Sequence, residues 1–207
     1  TRSRRFPVLY LLHGNNDTAA GWTDVGKANF ILDNLIAEHK AEPMIVVMPW
    51  GHAVPINAGR SDNTAVFERY LLDEIIPQVE KKYRVARGRE NRALFGLSMG
   101  GGQALQIGFK HLDSFNALAS FSGAVPNDFE LKFKSELEDS RGTNRKLKVL
   151  WIGCGEQDEL FNRTTRLDEI LNAHGIKHTL LALQGRHNYD VWRKCLAQTA
   201  PLLFRKN

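Results

Sequence analysis

The segment Arg92-Ala93-Leu94-Phe95-Gly96-Leu97-Ser98-Met99-Gly100-Gly101-Gly102 contains the most informative motif of the chain. Its first half predicts a buried strand and its second half opens a helix, so a GxSxG sequence lies between the two. In such a turn the serine is held in a strained backbone, and small neighbours are needed to avoid clashes. The turn lifts the hydroxyl above the sheet, and the helix N-terminus favours developing negative charge. The motif therefore predicts Ser98 as a nucleophile. A phosphate loop is excluded because no Lys-Ser/Thr follows the glycines.

Short apolar runs rich in branched and aromatic residues alternate along the chain with segments of helical periodicity. Strands are predicted at Val8–Leu12, Met44–Met48, Arg92–Gly96, Ala117–Phe121, Val149–Gly153 and His178–Leu183. Helices are predicted at about Asn29–Glu38, Phe67–Tyr83, Met99–His111, Phe161–Ala173 and Val191–Leu203. Pro77 is expected to kink or break the second of these helices. The alternation predicts an α/β fold with a mostly parallel sheet and helices on both faces.

The chain has 207 residues and no Gly/Ser/Pro-rich linker, which predicts a single domain over residues 1–207. The stretch Ala124–Lys146 fits the strand–helix alternation badly. It is polar, with one weak helix around Phe129–Leu137, and is expected to form an excursion above the sheet. The volume of a substrate pocket would then depend on how this stretch folds over the site.

The net charge of +5 comes from the ends of the chain. Of the 28 basic residues, Arg2, Arg4, Arg5, Arg205 and Lys206 are terminal, and the other 23 equal the 23 acidic residues. A nucleic-acid-binding face would place its charge on the fold itself, so no nucleic acid is predicted as a partner. The apolar runs are far shorter than the roughly 20 residues of a membrane span, so no membrane is predicted either. No signal peptide is recognised, and the compartment stays open, with a secreted or periplasmic location favoured.

A serine nucleophile needs a base, and the base needs an orienting acid. His187 is predicted as the base, because it follows the last strand on the side of the sheet where Ser98 stands. His111 ends the helix after Ser98, about 20 Å away at 1.5 Å per residue, and is out of reach. His174 and His178 lie at a helix end and a strand start, where satisfied structural roles are favoured.

Three carboxylates compete for the role of the acid after the strand that ends at Gly153: Glu156, Asp158 and Glu159. Asp158 is predicted, because a short side chain on a glycine-started turn can hold an imidazole rigidly. The two glutamates are more simply solvated loop charges. Asp190 follows the candidate base too closely and is expected to cap the last helix.

An oxyanion hole is expected to complete the site. One donor is predicted to be the backbone N–H of Met99, the residue after the nucleophile. The other is predicted in the loop His13–Asp17, with the main chain of Asn15 as the leading candidate. His13 stands beside Gly14, which favours a loop-stabilising role over that of a second base.

The other chemically notable residues are an aromatic and two thiols. Trp50 follows the second strand with Gly51 and His52 and is predicted to line the acyl or alcohol pocket, with a core position as the alternative. Cys154 and Cys195 are predicted to be buried free thiols. No CxxC or HExxH spacing is present, and no metal or organic cofactor is implied.

These residues resemble the feruloyl and acetyl-xylan esterases of carbohydrate esterase family 1 and the broader esterase D-like group. The matching stretches are Phe6–Gly14, Leu32–Glu38, Gly96–Gln103, Ile152–Asp158 and His187–Trp192. The resemblance implies an α/β-hydrolase fold, with Ser98, Asp158 and His187 as the triad. It also implies Asn15 and Met99 as the oxyanion donors.

The sequence departs from this family in two places. Asn15-Asn16-Asp17 stand where the family usually shows glycines. By resemblance, two strands that usually precede Val8 are missing, which would leave Met44–Met48 as a bare apolar sheet edge. Such edges are usually covered, so a mask is expected here, formed by N-terminal residues, reordered local structure or a second subunit of a homo-oligomer.

The expected function is that of a serine esterase acting through an acyl-enzyme. Its substrate would be a small-molecule or polysaccharide-linked ester, with feruloyl or acetyl esters of plant cell-wall polysaccharide leading. A broad-specificity carboxylesterase on small acyl esters is the alternative. A non-catalytic binding module on the same fold would be expected to lose a member of the triad, and this sequence keeps all three.

Overall fold

The sheet is parallel throughout and places the predicted strands side by side. The computed structural model describes residues 4–55 and 63–205, so Arg2 and Lys206 of the terminal basic group lie outside the described residues. The strands of the described residues are β1 (Val8–Leu12), β2 (Ile45–Val47), β3 (Arg92–Leu97), β4 (Ala117–Phe121), β5 (Val149–Gly155) and β6 (Thr179–Leu183). They pair in the order β2-β1-β3-β4-β5-β6. The predicted α/β class is confirmed.

Strand bounds differ from the predicted ones mainly at β5. The prediction ended this strand at Gly153, but Cys154 and Gly155 continue the ladder opposite Ala182 and Leu183 of β6. Gly155 is needed there, because a Cβ atom at this position would lie 2.3 Å from the carbonyl oxygen of Gly185. The strand therefore continues past Gly153 and ends at Gly155, where the two backbones approach closely.

Helices cover both faces of the sheet. In the described residues they are α1 (Gly21–Asp24), α2 (Ala28–Ala37), α3 (Asn63–Arg69), α4 (Ile76–Lys82), α5 (Met99–Lys110), α6 (Phe129–Lys132), α7 (Lys134–Glu138), α8 (Ser140–Lys146), α9 (Phe161–Ala173) and α10 (Tyr189–Thr199). The alternating side chains of β1 divide the core. Val8, Tyr10 and Leu12 pack on one face, and Leu9 and Leu11 on the other.

The expected break at Pro77 does not occur. The chain stays helical from α3 through a π-helical segment at Tyr70–Ile75 into α4. The N–H of Ile76 bonds to the carbonyl of Leu71, five residues back. Proline has no N–H and crowds the carbonyl four residues before it, and the wider helical turn accommodates both effects without ending the helix.

The segment 124–146 also differs from its prediction, since it forms three short helices instead of one. The rings of Phe129 and Phe133 lie 5.2 and 5.6 Å from that of Phe109 in α5, and Leu137 is buried. Its apolar anchors are few and widely spaced, which is why the polar composition suggested a looser excursion. These contacts pack the segment against α5.

The register of the sheet sets up the site. Leu12 pairs with Gly96, Leu97 with Phe121, and Phe121 with Gly153, so the carboxyl ends of the central strands are level. The loops that follow these strands therefore meet at one edge of the sheet, as is usual for ligand sites in parallel α/β folds.

The strand β2 lies at the edge of the sheet, as expected, and among the described strands it pairs with β1. How this edge is covered stays a prediction. Cys154 and Cys195 are buried free thiols, which confirms their predicted state. No helix in the described part of the chain combines the length and apolar character needed to cross a membrane.

Candidate active site

Ser98 lies in the tight turn between β3 and α5, with a backbone φ of 52° and ψ of −119°. This left-handed conformation is strained for a residue with a side chain, and it persists only where the surroundings hold it. The N–H of Ser98 donates to the carbonyl of Phe121 at 2.9 Å. Its own carbonyl accepts from Gly102 at 3.1 Å and from Ala124 at 2.9 Å. The backbone of the turn is therefore pinned from β4, from α5 and from the loop after β4.

The glycines around Ser98 permit close approach of backbone to backbone. A Cβ atom on Gly96 would lie 2.3 Å from the carbonyl oxygen of Gly100. A Cβ atom on Gly100 would lie 2.5 Å from the carbonyl oxygen of His13 in the loop after β1. These two glycines let the turn close and bring the neighbouring loop against it.

The predicted nucleophile, base and acid form one hydrogen-bonded chain. Nε2 of His187 lies 2.9 Å from Oγ of Ser98, and Nδ1 lies 3.0 and 2.8 Å from the two carboxylate oxygens of Asp158. The Asp158 side chain is fully buried, whereas 26% of the His187 side chain is exposed. The structure thus brings together three residues that are up to 89 positions apart.

Asp158 is held as a carboxylate. Burial by itself would raise its pKa, but hydrogen bonds from His187, from the N–H of Leu160 and from Ser122 outweigh burial, and the pKa is lowered. The Leu160 N–H lies 2.8 Å from Oδ1. Because a carboxylate only accepts, Nδ1 of His187 carries the ring proton, which leaves Nε2 free to accept from the Ser98 hydroxyl.

The two competing carboxylates are exposed side chains, in contrast to the buried Asp158. Glu156 and Glu159 are exposed, and Glu156 bonds to Gln184. The expected cap at Asp190 is wrong, because α10 begins at Tyr189 and its cap is Asn188, whose side chain accepts from the N–H groups of Asp190 and Val191. Asp190 lies in the first turn and pairs with Arg193.

The remaining histidines after Ser98 have structural partners, as expected. His111 bonds to Glu68 at 2.8 Å. His174 bonds to Glu130 at 3.0 Å and His178 to Asp168 at 2.8 Å. None of these three ring contacts involves the residues around Ser98.

The loop after β1 lies directly against the serine. A Cβ atom on Gly14 would be 3.2 Å from Cβ of Ser98 and 3.7 Å from its Oγ. Asn15 follows and lines the same cavity as Met99, the first residue of α5. The carbonyl of Asn15 is held by Nε2 of His52 at 2.8 Å.

His13 clamps this loop through two backbone groups. Its Nδ1 lies 2.7 Å from the carbonyl of Gly14, and its Nε2 accepts from the N–H of Gly51 at 2.9 Å. These contacts define a neutral ring with its proton on Nδ1. The pKa of His13 is lowered, chiefly by burial, which agrees with a neutral ring. The loop-stabilising role predicted for His13 fits this geometry.

A cavity of about 760 Å³ opens at Ser98 and His187. Its wall carries the polar side chains Asn15, Asn16, Asp17, His52, Asn63, Thr64, Gln106, Glu159 and Arg163. From the segment 124–146, which is described in full, Ala124 reaches this wall. The aromatic residues Phe129 and Phe133 of this segment are engaged with Phe109 of α5. The dependence of the pocket volume on this segment stays a prediction.

Trp50 does not lie in the core, which was the alternative to its predicted place in the pocket. It is 45% exposed, which excludes a core position, and the residues that line the cavity include His52 and not Trp50. Its ring packs at 5.1 Å on His13 and at 5.4 Å on His52. A contact of Trp50 with substrate stays a prediction.

Sequence reasoning did not single out several residues that surround the candidate triad. The Tyr189 hydroxyl donates to the carboxylate of Asp17, and Trp192 packs against His187. The hydroxyl of Ser122 accepts a hydrogen bond from the indole N–H of Trp192. Tyr189 and Trp192 belong to the stretch that carried the family resemblance, which was the available signal for them.

The fold and this arrangement of serine, histidine and aspartate are those of the α/β-hydrolase class of enzymes. Residues 1–203 match the family model described as "Putative esterase", and the chain belongs to this esterase family. Membership confirms the predicted resemblance to an esterase family.

The chain is similar to curated proteins with named ester-cleaving activities. An endo-1,4-beta-xylanase/feruloyl esterase of Xylanibacter ruminicola is 34% identical over 99% of this chain and 27% of that protein. An acetyl esterase of Caldicellulosiruptor saccharolyticus is 22% identical over 94% of this chain and 82% of that protein. The chain thus spans about a quarter of the length of its xylanase/feruloyl esterase relative.

Solved structures share the fold. A ferulic acid esterase with 27% sequence identity superposes with a TM-score of 0.80 over 97% of this chain and 85% of that one. A ferulic acid esterase of Anaeromyces mucronatus, solved with ferulic acid, has 23% identity and a TM-score of 0.86 over 99% of this chain and 81% of that one.

Proposed function

We propose that this chain hydrolyses carboxylic esters through a covalent acyl-enzyme, with Ser98 as nucleophile, His187 as base and Asp158 as orienting acid. The observation that carries the proposal is the unbroken hydrogen-bonded chain from the Asp158 carboxylate through the imidazole to the Ser98 hydroxyl. A buried carboxylate, a correctly protonated imidazole and a strained serine turn are what such a mechanism requires.

The reaction proceeds in two transfers. Nε2 of His187 takes the proton of the Ser98 hydroxyl as Oγ attacks the ester carbonyl, and the imidazolium then gives this proton to the departing alcohol. Water next attacks the acyl-serine while Nε2 takes a proton from it. The proton returns to Oγ as the acid product leaves. Asp158 stabilises the imidazolium in both halves.

The negative charge on the carbonyl oxygen is held by two main-chain donors, the N–H groups of Met99 and Asn15. Met99 opens α5, so its N–H has no partner within the helix. A Cβ atom on Gly14 would lie 3.7 Å from Oγ of Ser98, which supports a position of the next peptide N–H, that of Asn15, beside the nucleophile. Donors placed at this oxygen usually supply a large part of the rate.

The substrate class is feruloyl or acetyl esters attached to plant cell-wall polysaccharide. Two lines of support lead there. The relatives named above carry feruloyl and acetyl esterase activities in their names, and the cavity wall is rich in amide, hydroxyl and charged side chains that can bind sugar hydroxyls. A site for purely aliphatic esters would be more apolar.

The test compares three esters with the same enzyme preparation. Methyl ferulate and acetylated xylo-oligosaccharide are expected to show a higher kcat/KM than an alkyl acetate of similar size. Equal values for all three would instead favour a broad-specificity carboxylesterase. No hydrolysis of any ester, with a folded chain, would contradict the proposed chemistry.

A further inference from the structure

The hydrogen bonds of Nδ1 fix the imidazole of His187 along one direction. Its Nδ1 contacts both carboxylate oxygens of Asp158. These contacts define an axis from the carboxylate to the ring but do not stop the ring from rocking about that axis. Rocking swings Nε2 away from Ser98, and a misplacement of about 1 Å can cost roughly 10²-fold in rate. The ring therefore needs a lateral support.

Trp192 provides a lateral contact. Its indole stands edge-to-face with the imidazole of His187, with ring centroids 5.0 Å apart and an angle of 87° between the planes. Aromatic rings favour this arrangement. Trp192 is 6% exposed and also packs on the ring of Tyr189 at 5.0 Å, so the indole is itself confined.

The indole is held by a hydrogen bond to Ser122. Nε1–H of Trp192 donates to Oγ of Ser122 at 3.0 Å. Ser122 is fully buried and directly follows β4, and its N–H donates to the carbonyl of Gly153 in β5 at 2.7 Å. The anchor is thus attached to β4 and to β5, and Asp158 follows β5.

The strained backbone of Ser122 indicates that its side-chain hydroxyl contributes to the site. Its φ of 48° lies in the left-handed region, where glycine would be less strained. The hydroxyl accepts from Trp192 and, at 3.7 Å, from the thiol of Cys154, which leaves its own proton for the Asp158 carboxylate. The hydrogen bond from Ser122 is one of the contacts that lower the pKa of Asp158 against the opposing effect of burial.

We propose that Ser122 and Trp192 are positioning residues that hold the imidazole of His187 in the orientation in which Nε2 faces Ser98. Ser122 fixes the indole, and the indole fixes the imidazole. The inference rests on the proposed function, in which His187 is the base. It adds two residues that carry no chemical step of the proposed mechanism, and of these Trp192 also lines the cavity.

The first test is Ser122→Gly. Glycine adopts the left-handed backbone without strain, so the variant is expected to fold, while the hydroxyl is lost. The kcat on methyl ferulate should fall about tenfold while KM stays within about twofold, because a transition-state alignment is lost rather than a binding contact. His39→Gly is the matched control, since His39 is an exposed residue with a φ of 56°. It should leave kcat unchanged.

The second test asks whether Ser122 acts through the indole. Trp192→Phe keeps a ring beside His187 but loses the N–H donor. In that background Ser122→Gly should lower kcat by clearly less than tenfold, the non-additivity expected of coupled residues, and the loss that remains reflects the contact of Ser122 with Asp158. A wild-type kcat in Ser122→Gly, or losses that multiply in the double variant, would overturn the inference. If Trp192→Phe does not fold, the kcat of Ser122→Gly decides the test by itself. An inactive wild-type chain would count against the proposed function instead.

Discussion

The hydroxyl of Tyr189 donates a hydrogen bond to the carboxylate of Asp17, and this contact ties the loop of His187 to the loop that carries Asn15. The Tyr189 ring stands edge-to-face on Trp22 at 5.5 Å. Burial, and then the hydrogen bond and the charge of Asp17, raise the pKa of Tyr189, so it remains a phenol and a donor. The loop whose sequence departs from the glycine-rich family pattern thus obtains part of its shape from across the cavity.

Tyr189→Phe should lower kcat/KM about tenfold, because it removes one hydroxyl and leaves the Asp17 carboxylate without this donor, a loss of about 1–3 kcal/mol for a bond to a charged group. Steady-state rates on methyl ferulate measure the effect. Tyr83→Phe, at a tyrosine that is 50% exposed, is the control and should be silent. Equal kcat/KM in both variants would show that the two loops hold their positions without the bond.

Ser98→Ala should reduce ester turnover by several orders of magnitude and leave about 10³-fold catalysis over water from binding and the oxyanion donors. An organophosphonate should label the wild-type chain at Ser98, as peptide mass analysis can verify. Ser135→Ala, at an exposed serine, should retain full turnover and labelling. Undiminished hydrolysis in Ser98→Ala would rule out this nucleophile.

Asp158→Asn should lower kcat by roughly 10⁴, because the amide N–H can donate to Nδ1 and the imidazole then takes the wrong tautomer, with its proton on Nε2. Glu156→Gln, an isosteric change on the exposed neighbour, should leave kcat within about twofold. Kinetics on the two purified variants separates the carboxylates. If the glutamine variant carried the loss, the assignment of the acid would be wrong.

The neutral state of His13 predicts a pH dependence of stability. Its pKa in the folded chain is lowered, chiefly by burial, below the unfolded value of about 6.5. Between these two pKa values the unfolded chain binds one more proton than the folded chain. The contribution of His13 to the free energy of unfolding should therefore fall as pH drops below about 6.5, by at most about 1.4 kcal/mol per pH unit.

Urea unfolding of wild type and His13→Asn over about pH 7.5 to 5.5 tests this sign. The variant should start less stable, since the clamp on Gly14 and Gly51 is weakened, but its stability should fall less steeply with acid. His39→Asn, at an exposed histidine, should follow the wild-type slope. Identical slopes for wild type and His13→Asn would contradict a neutral buried ring.

The sequence by itself was sufficient for the strand–helix order and for the candidate nucleophile, base and acid. These features are encoded locally. Apolar runs report strands buried on both faces, glycines report a turn that tolerates no side chains, and Ser98, Asp158 and His187 each follow a strand at its carboxyl end. The order of a parallel sheet then brings such positions to one edge, whatever the intervening segments do.

Element boundaries and side-chain partners depended on the tertiary structure. The π-helical turn before Pro77, the three helices of the segment 124–146 and the cap at Asn188 were not predictable from local patterns. In the first two cases packing or a backbone hydrogen bond overrode the weaker propensity of the sequence. In the third, the side chain of Asn188 caps the helix in place of Asp190, which is an equally favoured residue type.

The contacts that shape the site were decided by the sheet register and by no local signal. Tyr189 meets Asp17, and Trp192 meets Ser122, across 172 and 70 residues of sequence. A hydroxyl, an indole and a carboxylate have many possible partners in a sequence. In the structure the Tyr189 hydroxyl and the Trp192 indole N–H each donate to one acceptor, because close packing at the carboxyl ends of the strands leaves each buried donor a single acceptor within reach.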